Sequence, residues 1–287
     1  MGLTPLDFFT KARFGVLDAV VLIVGAAWYL WSTRRLRQRD RRWPAYRSAC
    51  FAASWLTLAV AEFSGLTAFG RRNFTAYGTI YILVGLVAPA LLAASAPVTL
   101  ALLSAGDRHP ARWLESRTAR ILAGPMSVWV LFTTSVFVVF FAGVVPATIG
   151  GGWGAQGLHL WWLVAGWLFY WPVLAADPVP RRMSHLPRIL YLLLVFPVFA
   201  IMGMGLESQT SRIASSVTPA SLHLGGAVVW VAGETVALAG VLWVFATWLR
   251  ADERRARAQE VDNEQVAVRQ MAVWRASREA AARAASQ

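Results

Sequence analysis

The chain of 287 residues has little charge and almost no cysteine. Charged residues make up 15% of it and hydrophobic residues 57%, whereas soluble domains contain about 25% charged residues. The single cysteine, Cys50, excludes both an internal disulfide and a Cys-x-x-Cys metal site. This composition excludes a disulfide-rich secreted scaffold, a disordered protein and an ordinary soluble enzyme, and it predicts a polytopic membrane protein.

Several motifs of known enzymes and receptors are also absent. The sequence contains no P-loop, no GxSxG motif and no HExxH motif. A retinal receptor needs a lysine in its last helix, and the only lysine here, Lys11, precedes the apolar segments. We therefore interpret the chain as a protein that is not an enzyme.

Seven apolar segments are candidates for crossing a bilayer, whose core requires about 20 apolar residues per helix. They lie at roughly 14–33, 45–64, 76–103, 121–146, 157–176, 188–206 and 222–249. Pro89 and Pro97 predict a kink or a break in the third segment. The glycine-rich stretch that follows Pro146 predicts the turn between the fourth and fifth. The predicted fold class is all-α, a polytopic membrane protein with seven transmembrane helices.

The basic residues are distributed unevenly between the two sides of this predicted bundle. Twenty-two of the 27 lie on the side of the first, third and fifth connections and of the tail. The other five are Lys11, Arg13, Arg71, Arg72 and Arg212. Because arginine and lysine concentrate in cytoplasmic connections, we predict an N-terminus outside and a C-terminus in the cytoplasm. The net charge of +12 is then a topology signal, and the expected partner is membrane lipid, with no nucleic acid.

Three regions follow from this topology. Residues 1–13 are predicted to be an extracytoplasmic segment, residues 14–250 a seven-helix transmembrane domain, and residues 251–287 a cytoplasmic tail rich in alanine and arginine.

Ionisable residues inside apolar segments are costly and mark candidate functional positions. Asp18 lies about one turn inside the first helix, Glu62 near the outer end of the second, and Glu234 near the middle of the seventh. Each of the three also has a structural alternative to a functional role. Asp18 and Glu62 could be carboxylates at the membrane interface in contact with water, and Glu234 could be a buried protonated carboxyl. His223 lies eleven residues before Glu234, which corresponds to a net rotation of roughly 20° on a helix. The two residues therefore share one helix face, which is compatible with an ion or proton path.

Histidine and methionine side chains occur at the predicted outer end of the bundle. His159 starts the fifth helix and His223 the seventh, while Met202 and Met204 lie near the end of the sixth. Imidazole and thioether donors suit copper, especially Cu(I), so these four residues are the candidate metal ligands. Methionines in helices also serve as packing residues, and a histidine at a helix start also serves as a cap.

The sequence contains a series of short motifs whose order and spacing together are specific, although each motif alone is short. Among them are Asp18, Trp28-Tyr-Leu-Trp31, Arg41-Arg-Trp-Pro44, Val87-Ala-Pro-Ala-Leu-Leu92, Ala96-Pro-Val-Thr-Leu100, Asp177-Pro-Val-Pro180 and Trp230-Val-Ala-Gly-Glu234. With these motifs, most of residues 15 to 257 resembles the CtaG family of bacterial cytochrome c oxidase assembly factors, particularly the actinobacterial branch often joined to a copper-resistance D domain. The resemblance implies seven helices in a bacterial cell membrane with an outer N-terminus. It also implies assistance in copper insertion into, or maturation of, a haem-copper oxidase. It implies oxidase subunits or copper-uptake proteins as partners.

Histidine is replaced at three positions of the family pattern. The His-Met-x-Gln-His pattern that the resemblance implies at the start of the third helix reads Tyr77-Gly-Thr-Ile-Tyr81. The His-x-x-x-His pattern of the fifth helix keeps only His159, with Ala155 in place of the first histidine. Tyrosine is a poor ligand for a soft metal. A metal-free scaffold or interaction protein, and a copper or ion transporter, therefore stand as alternatives to a copper-handling factor.

Overall fold

The computed structural model describes residues 15–71, 73–106, 116–149, 151–179, 182–208 and 217–285. Within these ranges every regular element is a helix and no strand occurs, which confirms the all-α prediction. The predicted segment 1–13 lies outside the described residues.

Helices occupy all seven predicted segments. In chain order they are α1 (Val16–Arg37), α2 (Ala45–Phe63), α3 (Gly65–Gly70), α4 (Phe74–Ile82), a π-helical turn (Leu83–Val87), α5 (Ala88–Ala94), α6 (Pro97–Ala105), α7 (Arg117–Leu122), α8 (Pro125–Phe141), α9 (Val144–Thr148), α10 (Trp153–Leu174), α11 (His185–Leu193), α12 (Val195–Glu207) and α13 (Pro219–Ala285).

Four stretches of the described chain are long and apolar enough to cross a membrane. They are Val16–Arg37, Phe74–Ala94, His185–Glu207 and Pro219–Ala272, and α8 is a shorter apolar helix. Their length and composition indicate a membrane protein, while the count of seven spans and the orientation stay predictions.

The third segment is interrupted, as its prolines predict. The N–H of Ala88 bonds to the carbonyl of Leu83, five residues back, so a π-helical turn lies directly before Pro89. Ala96 then adopts a left-handed φ of 56° immediately before Pro97. Pro97 occupies the first position of α6, where a missing N–H costs nothing. The segment therefore consists of two helical stretches, Phe74–Ala94 and Pro97–Ala105.

Asp177, which follows α10, holds the start of α6 in place. Its carboxylate accepts hydrogen bonds from the backbone N–H groups of Val98 at 3.1 Å and Thr99 at 2.6 Å, and from the Thr99 hydroxyl at 2.6 Å. Burial raises the pKa of Asp177, against the opposing effect of these hydrogen bonds and of Arg47. Two motifs far apart in sequence, Ala96-Pro and Asp177-Pro, meet in this contact because α6 has unpaired N–H groups at its first turn.

The helices approach closely where glycines remove side chains. A Cβ atom at Gly166 of α10 would overlap the carbonyl oxygen of Gly85 and lie 2.7 Å from the ring of Pro89. One at Gly203 of α12 would lie 2.6 Å from Trp230 of α13. Small residues at such crossings are the usual means by which membrane helices pack.

Contacts divide the chain into two units, Met1–Val241 and Leu242–Gln287. The second unit is the remainder of α13, whose described side chains are exposed from Asp252 onward. The predicted boundary at residue 250 stays a prediction.

Gly166→Ala is expected to destabilise the fold by about 2–3 kcal/mol, because the added methyl group meets backbone that cannot move aside. Gly157→Ala in the same helix is the matched control, since apart from the local helix backbone no atom of the described residues lies within 4 Å of a Cβ there. It is expected to be neutral or to stabilise by about 0.5–1 kcal/mol. Unfolding in mixed micelles, followed by tryptophan fluorescence, measures both changes. Equal stability of the two variants would contradict the close helix crossing.

Candidate metal centre

Three helix ends meet at one place in the bundle, and each contributes an ionisable side chain. Asp18 lies in the first turn of α1, Glu62 in the last turn of α2, and His159 in the second turn of α10. In the predicted topology the first and fifth membrane crossings begin on the side where the second crossing ends. The start of α1, the end of α2 and the start of α10 are those three points, so their meeting is consistent with that topology.

Glu62 and His159 form the central contact of the group. The Nδ1 atom of His159 lies 2.9 Å from Oε2 of Glu62, and the two side chains are only 11% and 6% exposed. One ligand atom from each of Asp18, Glu62 and His159 can be chosen so that all three lie within 4.8 Å of one another. Atoms at that spacing can contact a single ion.

Neighbouring residues fix the positions of the helices that carry these groups. The Oε1 atom of Gln156 accepts a hydrogen bond of 2.7 Å from the backbone N–H of Leu17, which links the start of α1 to α10. The ring of His159 stacks on that of Trp162, with centroids 5.3 Å apart and an angle of 24° between the planes. The imidazole is therefore held between an aromatic ring and a carboxylate.

The group borders an open cavity of about 300 Å³. Its other polar walls include Arg71, Tyr77 and Gln156. A small void of about 20 Å³ on the same three side chains is walled by aliphatic residues: Val21, Leu22, Leu58, Val84, Leu160 and Leu163. The group thus has a polar side with access to the cavity and an apolar side, an arrangement that strengthens electrostatic interaction with a bound ion.

The positions that depart from the family pattern lie beside this group. Tyr77 and Ala155 both line the cavity that His159 lines, and the Tyr77 hydroxyl lies 3.3 Å from that of Thr148. Tyr81 is buried, with its ring edge-on to Trp162 at 5.1 Å, and its hydroxyl has no hydrogen-bond partner among the described residues. Two of the three positions at which an implied histidine is replaced therefore border the same cavity.

Of the four metal ligands predicted from the sequence, only His159 belongs to this group. Met202 is fully buried, Met204 is 50% exposed and His223 is exposed, and none of them lines the cavity. Their roles as ligands stay predictions.

Glu234 has a partner within its own helix. Its Oε1 atom accepts a hydrogen bond of 2.7 Å from the indole N–H of Trp230, one turn earlier. This bond offers a structural role for the carboxyl, and the predicted path along His223 and Glu234 stays a prediction.

Sequence reasoning identified Asp18 and Glu62 as costly polar residues but did not group them with His159. The signal for the grouping was present, since the predicted topology puts the start of the first helix, the end of the second and the start of the fifth on one side. Two carboxylates and an imidazole together suit a divalent transition metal ion, and three protein ligands leave coordination positions open to the cavity.

Comparison with known proteins agrees with the resemblance in the motifs. Residues 27–251 match the family described as cytochrome c oxidase caa3 assembly factor. An uncharacterized protein of Mycobacterium leprae (strain TN) is 30% identical over 270 residues, which cover 87% of this chain and 41% of that protein. An uncharacterized protein of Mycobacterium bovis (strain ATCC BAA-935 / AF2122/97) is 29% identical over 272 residues, covering 88% and 41%. The chain thus spans about two fifths of the length of these relatives, and no solved structure matches it.

Replacement by phenylalanine is expected to affect stability differently at Tyr77 and at Tyr81, because only the Tyr77 hydroxyl has a hydrogen-bond contact among the described residues. Tyr77→Phe removes the contact with Thr148 and is expected to cost about 1 kcal/mol of stability. Tyr81→Phe removes a buried hydroxyl without a partner in the described chain and is expected to be neutral or stabilising by about 1 kcal/mol. Unfolding in mixed micelles compares the pair, and a larger loss for Tyr81→Phe would contradict the described packing.

Proposed function

Because the chain belongs to the cytochrome c oxidase caa3 assembly factor family, we propose that it assists the insertion of copper into, or the maturation of, a haem-copper oxidase. The observation that carries the copper-handling part is the group of Asp18, Glu62 and His159, whose ligand atoms lie within 4.8 Å of one another beside an open cavity. In this proposal copper is cargo that the protein holds and passes on, and the protein is not an enzyme.

The donor set indicates which form of copper the group would hold. Cu(I) favours thiolate and thioether ligands, whereas imidazole and carboxylate suit Cu(II) and other divalent ions. No cysteine or methionine lines the described cavity. We therefore assign Cu(II) to this group. Two carboxylates also supply the negative charge that a divalent ion requires in a poorly solvated site.

Location follows from the predicted topology. With the N-terminus outside a bacterial cell membrane, the start of α1, the end of α2 and the start of α10 lie near the outer surface. An open cavity there would allow exchange of the ion with an oxidase subunit or a copper-uptake protein, which are the proposed partners.

A metal-free scaffold is the second candidate function, and a specific observation favours it. Tyr77 and Ala155 replace, at the cavity wall, two of the histidines that the resemblance implies. A scaffold would bind oxidase subunits and assist their maturation without holding copper. The two functions differ in whether His159 is needed.

Purified protein in detergent is expected to bind one Cu(II) ion, and His159→Ala to reduce the affinity by more than about 100-fold, because the loss of an outer-shell partner of a metal already costs about tenfold to 100-fold. Titration followed by electron paramagnetic resonance measures the binding. Glu62→Gln is expected to weaken binding as well, because it removes the charge of one ligand while keeping the side-chain volume.

His223→Ala is the matched control, since it removes an exposed histidine that does not line the cavity. Its affinity for Cu(II) should equal that of the unaltered protein. Equal losses in both histidine variants would favour the ligand set predicted from the sequence and contradict the three-residue group. Absence of binding in the unaltered protein would favour the scaffold.

In cells that lack the gene, His159→Ala is expected to restore less oxidase activity than His223→Ala at equal membrane abundance. The difference should be largest under copper limitation and should shrink when copper is added, because the proposed defect lies in copper delivery. Full restoration by His159→Ala under copper limitation would support the scaffold.

A further inference from the structure

A second, larger cavity of about 1080 Å³ lies between α1 and α2, toward the end where α1 finishes and α2 begins. Its volume is slightly above the upper end of the range for typical ligand pockets, which is about 300–1,000 Å³. We call it the α1–α2 groove. It shares no lining residue with the cavity of the candidate metal centre.

Aromatic rings form the apolar wall of the groove. The rings of Tyr29 and Phe51 stack with centroids 3.8 Å apart, and those of Phe51 and Trp55 stack at 4.1 Å. The indole N–H of Trp55 bonds to the carbonyl of Leu22, so its polar atom is already satisfied. This part of the groove therefore offers only apolar surface to a ligand.

A short polar chain follows the aromatic wall. The indole N–H of Trp43 donates to the hydroxyl of Tyr29 at 2.9 Å, and that hydroxyl donates to Oγ of Ser48 at 3.1 Å. The hydroxyl hydrogen of Ser48 is then oriented away from Tyr29. It can donate to an ester or phosphate oxygen in the groove.

Arginines lie at the mouth of the groove. Arg37, Arg41 and Arg42 line it, are exposed, and form no ion pair within the described part of the chain. Asp40 also lines the mouth, which leaves a net positive charge there.

Neighbouring arginines such as Arg39 and Arg47 are already engaged, which distinguishes them from these three. Arg39 donates to the carbonyls of Leu103 and Ser104 at the end of α6, at 3.2 Å each. The guanidinium of Arg47 lies 4.9 Å from the ring of Trp43. Four exposed arginines of this region lack such a contact within the described chain: Arg34, Arg37, Arg41 and Arg42. All of them except Arg34 line the groove.

We propose that the α1–α2 groove binds one anionic phospholipid. The order of its surfaces, from aromatic wall through hydroxyl to arginines, matches the order of acyl chain, glycerol ester and phosphate in such a lipid. A zwitterionic headgroup carries its own cation beside the phosphate, so it gains less from the arginines. Basic pockets between membrane helices recognise anionic headgroups in this way.

The test uses the full-length protein in a maltoside detergent. Palmitoyl-oleoyl phosphatidylglycerol is expected to raise the thermal midpoint in a saturable manner, and palmitoyl-oleoyl phosphatidylcholine to do so much less. The triple variant Arg37→Gln/Arg41→Gln/Arg42→Gln should need about tenfold or more phosphatidylglycerol for the same shift. Arg254→Gln/Arg255→Gln/Arg257→Gln, in the second unit, removes the same charge and should leave the response unchanged.

Ala52→Phe fills the groove without altering charge, because Ala52 is an exposed residue of its wall, and it should weaken the response to phosphatidylglycerol. This variant and the comparison of the two lipids remain informative if the triple variant does not fold. Equal stabilisation by the two lipids, or an equal loss in the tail variant, would overturn the proposal.

Discussion

Removing a carboxylate from bulk water is costly, and this constraint explains the contacts of Glu62 at the end of α2. Glu62, 6% exposed at the end of α2, is accommodated because His159 of α10 lies 2.9 Å from it. The pair fixes the end of one helix to the start of another, and Gln156 extends the connection to α1. Asp18 then lies beside two other candidate ligands rather than alone. The same constraint acts on the backbone, where Asp177 satisfies the free N–H groups of α6.

Much of the fold could be predicted because the relevant physics is local. Charge-free stretches located the helices, and Pro89 and Pro97 predicted the interruption of the third segment. The details that were missed depend on contacts or on single backbone hydrogen bonds. The break between α11 and α12 is one example, since Pro197 cannot donate to the carbonyl of Leu193 and the helix is interrupted at Leu194. Another is the π-helical turn, whose position follows from the proline and from the close crossing at Gly166.

The site was less predictable because it is a pairing between side chains 97 residues apart in sequence. His159 was identified from its position, and Glu62 and Asp18 from their cost in an apolar segment. Residue chemistry alone favoured sulfur donors, so Met202 and Met204 were grouped with the histidines, whereas the structure gathers oxygen donors around His159. The replacement of histidine by Tyr77 and Ala155 has a clear location in the structure, at the wall of the same cavity. Family membership thus supports an assembly role. The replaced histidines lie beside the group of Asp18, Glu62 and His159, so this group is where the chain differs from the family pattern.

The central claim is that His159, with Asp18 and Glu62, binds Cu(II). Identifying the nitrogen atom that binds the ion tests this claim most directly. Pulsed electron paramagnetic resonance of the Cu(II)-loaded protein, labelled with ¹⁵N-histidine, detects imidazole nitrogens bound to the ion. The account predicts coupling to one histidine, which is lost in His159→Ala and retained in His223→Ala. Coupling to His223, or a spectrum that His159→Ala leaves unchanged, would contradict it.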